Sequence, residues 1–254
     1  MNILVTGALG WTAKAIIEVL LQTGHAVYGF DLPAITPQYI DPKKLQMIHY
    51  ATVTDYEAVY QALSHMDVVI HLAVAVNGGY DTPKIPFDTN VRGTANILSA
   101  AIAHGVKRVI LMSSAPFHVQ HPTPIHAIND RLQGSEGDFL YDLTKCLQED
   151  IAEYYAKTGL IDVITLRAGH IVDGQLGVDP KGRDLSTIDY GREAWVCRYD
   201  LARAVNLALT YPLSGYTSFH IIGSQSAKNQ FDMERTEHEF GFLPLRQFEA
   251  YRTN

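Results

Sequence analysis

"VTGALGWTA", residues 5–13, joins a β-branched run, "NILVT" (2–6), to a helical pattern over 11–23. Gly7, Gly10 and Ala13 recur in it at every third position. Glycine can take backbone shapes closed to other residues and lets the chain approach a pyrophosphate closely. The N-terminus of the following helix offers free N–H groups and the positive end of its dipole. Ala13 stands where a third glycine often sits and is small enough for close helix–strand packing. The next apolar run, "AVYGF" (26–30), ends at Asp31, about 20 residues beyond the glycines. A carboxylate there accepts hydrogen bonds from both adenosine ribose hydroxyls and repels a 2′-phosphate. No arginine follows Asp31 closely, so the pattern favours NAD over NADP.

Working outward, the same alternation continues. "MIHY" (47–50), "DVVIHL" (67–72), "RVILMS" (108–113), "DVITLR" (162–167) and "SFHII" (218–222) read as strands. Several are apolar at nearly every position, as strands covered on both faces are. Helical patterns lie over 55–63, 87–104, 140–158 and 199–210. Regular β–α alternation predicts an α/β fold: a Rossmann-type, doubly wound parallel sheet with right-handed crossovers. The expected division is a dinucleotide-binding core over 1–172 and a small C-terminal substrate-binding part over 173–254, interleaved with the last helix and strand of the core. The irregular segments 74–86, 115–138 and 173–197 all follow carboxyl ends of strands, where open α/β sheets bind ligands.

Composition narrows the function. The 254 residues carry a formal charge of −7, which argues against a general binder of nucleic acid or anionic membranes. Two cysteines, Cys146 and Cys197, suggest free thiols in a reducing cytoplasm. "MNILVTG" has no basic segment or cleavage site, and no stretch approaches ~20 apolar residues, so a cytoplasmic protein is expected.

Three tyrosines stand four residues before a lysine: Tyr39 and Lys43, Tyr80 and Lys84, Tyr141 and Lys145. A tyrosine has an ordinary pKa of about 10 and works as a proton carrier near neutrality only with a cation beside its phenolate. One helical turn supplies that placement. Pro42 and Pro83 stand directly before the first two lysines and disfavour an interior helical turn. "FLYDLTKCLQEDIAEYYAK" contains neither proline nor glycine, so Tyr141 and Lys145 are the credible pair. The run "LMSSAPF" leaves Ser113 and Ser114 at the carboxyl edge of the sheet, where a hydroxyl can bond a reacting oxygen.

With these residues in place, the chain resembles the extended short-chain dehydrogenases/reductases, which include nucleotide-sugar epimerases and dehydratases. "TGALGWTA", "VVIHLA", "NVRGTANILSAA" (90–101), "VILMSSA", Tyr141 with Lys145, "ITLRAG" (164–169) and "WVCRYDLARAV" (195–205) carry the resemblance in the family's order. It implies Ser114 as catalytic serine, Tyr141 as acid/base, and Lys145 as the residue that holds the nicotinamide ribose and lowers the tyrosine pKa. It also implies NAD contacts at Gly7, Leu9, Gly10, Trp11, Asp31, Leu32, Thr52, Val53, Leu72, Ala73, Val74, Asn90, Met112 and Ala168, together with Tyr141 and Lys145. Relatives often have an aspartate where Thr52 stands, so weaker adenine contacts are expected there. The helices over 87–104 and 140–158 are the family's usual dimer surface, implying a homodimer or higher homo-oligomer.

The C-terminal half is similar to uronate dehydrogenases, through "YDLTKCLQEDIA", "RDLST" (183–187) and "GSQSAKNQFDMERTEHEFGFLP" (223–244). This implies that Arg183 holds a substrate carboxylate, a task suited to a guanidinium fork. Val76, Ser114, Ala115 and His170 complete the implied substrate contacts; Val76, Ala115-Pro116 and His170 depart from that family's residues. The insertion after strand six is short, leaving little protein to enclose a nucleoside diphosphate. The resulting expectation is an NAD-dependent oxidoreductase acting on a small hydroxy or keto compound, such as a sugar or sugar acid. A nucleotide-sugar epimerase or reductase with a trimmed lobe, or a dinucleotide sensor, remains open. His118, His121 and His126 lack matching acidic or cysteine partners, and no metal is expected.

Overall fold

The computed structural model describes residues 1–33, 35, 37–75, 83–115, 139–224, 227–228 and 230–251. Within them, seven parallel strands form one sheet in the order β3-β2-β1-β4-β5-β6-β9. These are β1 (Asn2–Thr6), β2 (Ala26–Asp31), β3 (Ile48–Tyr50), β4 (Val68–His71), β5 (Arg108–Ser114), β6 (Asp162–Ala168) and β9 (Tyr216–Ile221). The order reverses between β1 and β4, the place where such a sheet opens a crevice at its carboxyl edge.

Both faces of the central strands are buried, and that accounts for their continuous apolar sequence. On one face α1 (Trp11–Gln22) and α5 (Arg198–Ala208) pack Ile16, Leu20, Leu201 and Val205 against Ile3, Val5, Ile110 and Ile164. On the other, α2 (Tyr56–Ala62), α3 (Gly93–Ala103) and α4 (Phe139–Ala156) pack Val59, Ile97, Leu98 and Ala152 against Leu4, Val69, Val109 and Leu111. Each side's apolar stripe is therefore removed from water, at about 25 cal/mol per Å² of apolar area. No helix among the described residues is long and apolar enough to cross a membrane.

The structure departs from the sequence expectation in three places. The predicted helix over 87–104 is two elements, a π-helical stretch Phe87–Arg92 leading into α3. Two three-residue strands, β7 (His170–Val172) and β8 (Trp195–Cys197), pair in parallel as a second small sheet, although 195–197 lay in a segment read as irregular. Such short strands carry too little alternation to be recognised. The short helix α6 (Met233–His238) was not foreseen either; Asp232 caps it by accepting from Arg235 N at 3.1 Å.

Candidate functional site

The crevice between the two half-sheets is a cleft of about 540 Å³. Gly7, Gly10, Trp11, Thr12 and Ala13 line it from the β1–α1 turn and the start of α1, Phe30, Asp31, Leu32 and Ile35 from the end of β2 and the residues after it, and Leu72, Ala73 and Val74 from beyond β4. Gly7 has φ +67°, and a Cβ there would lie 3.1 Å from Ala73 N, so both shape and space require glycine. Gly10 caps α1 without any side-chain bond, which leaves the first N–H groups of a twelve-residue helix for a ligand. Asp31 accepts from Leu9 N and Leu32 N, both at 2.7 Å, and so ties the end of β2 to the turn.

This donor set fits NAD. An uncapped helix end faces the phosphate position, a carboxylate lies beside the ribose position, and apolar walls flank the adenine position. Thr52 and Val53 also line the cleft, with Thr52 Oγ1 3.0 Å from Thr54 Oγ1. Lining residues that the sequence reading did not name as contacts include Thr12, Phe30, Ile35, Ala51, Thr89 and Pro180. Pro180 is informative, because it brings the loop after β7 over the cofactor cleft. Leu9 offers only its backbone; its side chain is buried in the core.

Asn90 lies in the helical stretch Phe87–Arg92, behind the cleft. It is completely buried, and its side chain is spent on Ala75 and Thr144: it accepts from Ala75 N at 2.8 Å and donates to Ala75 O at 3.2 Å and Thr144 Oγ1 at 2.9 Å. It braces the β4 loop against α4 rather than lining the cleft.

Tyr141 and Lys145 are one turn apart in the first half of α4, as the sequence predicts. Tyr141 is half-buried and Lys145 is buried. Tyr39 and Lys43 share no helix; Lys43 lies in a 3-10 turn, Pro42–Lys44. Tyr80 lies outside the described residues, as do Val76, Pro116, His118, His121 and His126. Ser114 ends β5 opposite Ala168 of β6, and Ala115 N continues the pairing by donating to Ala168 O at 2.7 Å. Lys145 Nζ donates to Met112 O at 2.6 Å and to Gln148 Oε1. Burial pulls the Lys145 amine down to about 8, against the opposing charge of Glu149. At neutral pH it remains a cation.

The third group lies in the loop after β7. Arg183 donates to Asp179 through Nε at 2.8 Å, its Nη2 lies 2.6 Å from the same carboxylate, and Nη2 donates to Tyr190 OH at 2.8 Å. Tyr190 in turn meets His170 edge-on at 5.8 Å. The Arg183 charge is therefore already matched by Asp179, which the sequence reading did not foresee. Arg198 was also missed. This buried guanidinium stacks 4.4 Å above Trp11, donates to Trp11 O at 3.2 Å and pairs with buried Asp173 at 2.5 Å. It joins the dinucleotide turn to the root of the Arg183 loop. Among the described residues no cluster of three or more metal-ligating side chains occurs.

Fold and site together describe a dinucleotide-dependent α/β enzyme. Residues 3–187 match the model of the NAD dependent epimerase/dehydratase family, and the chain belongs to that family. It is 28% identical over 258 residues to a uronate dehydrogenase from Pseudomonas syringae pv. tomato, covering 99% of this chain and 84% of that one. It is 25% identical over 222 residues to an L-arabinose 1-dehydrogenase (NAD(P)(+)) from Haloferax volcanii, covering 82% and 84%. A solved short-chain dehydrogenase/reductase superfamily protein from Agrobacterium tumefaciens, with bound NAD, superposes with a TM-score of 0.76 at 19% identity, covering 99% of this chain and 94% of that one. The protein is thus an NAD-dependent enzyme of the extended short-chain dehydrogenase/reductase type.

Proposed function

We propose that the protein oxidises a hydroxyl group of a small sugar or sugar acid, with Tyr141, Lys145 and Ser114 as its working residues. The observation that carries this reading is the placement of Tyr141 and cationic Lys145 one turn apart on α4, which packs against β5, the strand that ends at Ser114. Bound NAD supplies the hydride acceptor. Gly7, Gly10, Trp11 and Asp31 hold its adenosine half, and Lys145 meets its ribose. The Tyr141 phenolate takes the proton of the substrate hydroxyl, and the Lys145 charge favours that phenolate. The Ser114 hydroxyl bonds the reacting oxygen and keeps it in line with Tyr141. Residues 173–197, with His170, Arg183 and Tyr190 close together, form the substrate side. Uronate and L-arabinose dehydrogenases among the relatives support a small carbohydrate as substrate.

The test is an NAD-reduction screen over uronates, aldoses, polyols and hydroxy acids, with Tyr141→Phe as control. Turnover of a sugar or sugar acid should fall by roughly a thousandfold or more in the variant, with NADH binding retained. Equal loss in Tyr39→Phe would move the chemistry elsewhere. Interconversion of nucleotide sugars without net NADH would replace dehydrogenation by epimerisation.

A further inference from the structure

Beneath the candidate site runs a chain of buried polar groups whose hydrogen positions are fixed by their neighbours. Thr6 Oγ1 accepts from Leu72 N at 3.2 Å and Ala73 N at 3.1 Å, so its own proton goes to His71 Nδ1 at 2.7 Å. His71 is then protonated at Nε2, which donates to Thr94 Oγ1 at 3.1 Å. Thr94 Oγ1 also accepts from Gln148 Nε2 at 2.6 Å and passes its proton to Asn90 O at 2.7 Å. The carboxamide oxygen of Gln148 is left for Lys145, a donor only. Thr6, His71, Thr94, Gln148 and Lys145 are all buried.

We propose that Gln148 is a positioning residue for Lys145. Its oxygen holds the ammonium against the end of β5, while its nitrogen is anchored through Thr94 and His71 to the dinucleotide turn. An ammonium has three N–H groups. Met112 O and Gln148 take two, and among the described residues nothing takes the third, which remains for the cofactor ribose. This inference rests on the reading of Lys145 as a working residue.

A carboxamide suits this role for two reasons. It accepts a hydrogen bond without charge, so the lysine's cation is not neutralised before it can act on Tyr141. It is also a poor proton carrier, so the strut orients the amine without draining its proton. The adjacent carboxylate acts on Lys145 through its charge and is itself bonded elsewhere. Glu149 receives Arg167 Nε at 3.1 Å and Nη2 at 2.8 Å, with Tyr216 OH at 3.3 Å. Further ionisable groups near Lys145 are Tyr141, buried Asp142 and buried Cys146 on its own helix, and His71 from β4. From the helical stretch before α3, Asp88 and Arg92 pair with each other, and Asp88 also with Lys84 from the turn before it, at the surface. His71 is held neutral, far below its ordinary range at about 3, by burial and by the Lys145 charge.

The experiment follows the Lys145 amine directly, by NMR of lysine-¹³Cε-labelled protein without cofactor, in wild type, Gln148→Leu, Gln148→Glu and Thr94→Val. Gln148→Leu removes the acceptor and should lower the Lys145 midpoint by about one pH unit. Gln148→Glu adds a facing charge and should raise it by about one unit or more. Thr94→Val loosens the strut and should give a smaller downward shift. In NAD-dependent turnover both Gln148 variants should lose kcat by roughly tenfold with KM little changed, and their pH profiles should move in opposite directions. A role in packing alone predicts lower Tm values with one common titration, and that result would overturn the proposal. Should Gln148→Leu not fold, the opposed shifts of Gln148→Glu and Thr94→Val decide it. Shifted midpoints with full activity in Tyr141→Phe would leave the strut standing and remove the catalytic reading of Lys145.

Discussion

The cleft between β1 and β4 takes its shape from a backbone turn, whereas the loop over residues 173–190 is stitched by carboxylates. In the cleft, Gly7 at φ +67° and the uncapped N-terminus of α1 set the shape. In the loop, Asp173 accepts from Gln175 N and Leu176 N at 2.9 and 3.0 Å, Asp179 from Lys181 N and Arg183 N at 2.9 and 2.8 Å, and Asp184 from Ser186 N at 2.8 Å. Short polar side chains of this kind close local turns without secondary structure. A site made of backbone is fixed by where glycine is allowed. A loop made of side-chain turns can be retuned by one substitution, because each carboxylate serves a few bonds. The first construction suits a constant pyrophosphate, the second a substrate that varies between relatives.

Asp31 is the carboxylate of the cleft, and among substitutions in the cleft and the loop its removal is expected to have the largest effect. Asp31→Ala loses the ribose contacts and also frees Leu9 N and Leu32 N, so the turn itself loosens. NADH affinity, read by fluorescence titration, should fall by about ten- to a hundredfold. NADPH affinity should change far less, narrowing the preference. Wild type binding NADPH more tightly than NADH would refute the role given to Asp31.

Legibility followed the same division. Gly7, Gly10 and Asp31 stand out because few residues can replace them in a βα turn. Tyr141 and Lys145 stand out because two competing pairs contain prolines. By contrast, Gln148 gives no sequence signal; it precedes Glu149 on a helix whose polar residues read as solvent-facing, and only packing shows both buried. Asp179 gives no local signal either, yet its side chain is only 2% exposed and holds Arg183. Arg198 was absorbed into the run "WVCRYDLARAV", and its stacking on Trp11, 187 positions away, belongs to tertiary structure. Gly93 is similar: a Cβ there would come within 2.6 Å of Val53 Cγ2, a constraint local sequence does not carry.

The retunable loop predicts a selectivity change of intermediate size. Asp179 already pairs with Arg183, so under the proposed reading a substrate carboxylate would share the guanidinium with it. Arg183→Ala should lower kcat/KM for a uronate by roughly tenfold and leave the matched aldose little changed. Asp179→Asn should move the uronate-to-aldose ratio the other way, because the fork is released from its internal partner. Parallel losses on both substrates, in both variants, would mean that the pair only supports the loop.

The last effect concerns stability rather than binding or turnover, and sharpens the picture of the cleft floor. His71 lies beneath the turn, bonded on both sides by Thr6 and Thr94, and burial with the Lys145 charge lowers it from 6.5 to about 3. The unfolded chain therefore binds a proton between those values that the folded protein refuses. Folding stability should fall as pH drops below about 6.5, by about 1.4 kcal/mol per pH unit from this group, and the loss should level off near pH 3. His71→Gln keeps an acceptor for Thr6 and a donor for Thr94 but cannot be protonated in this range. Urea unfolding of both proteins at pH 7, 6 and 5 isolates the term, because the carboxylates common to both cancel in the difference. The variant should start less stable at pH 7, since its carboxamide fits the imidazole's space imperfectly, and the gap should then narrow as the pH falls. A gap that stays constant from pH 7 to 5 would show that His71 titrates alike in the folded and unfolded chain, and the floor of the cleft would then be open to protons and water.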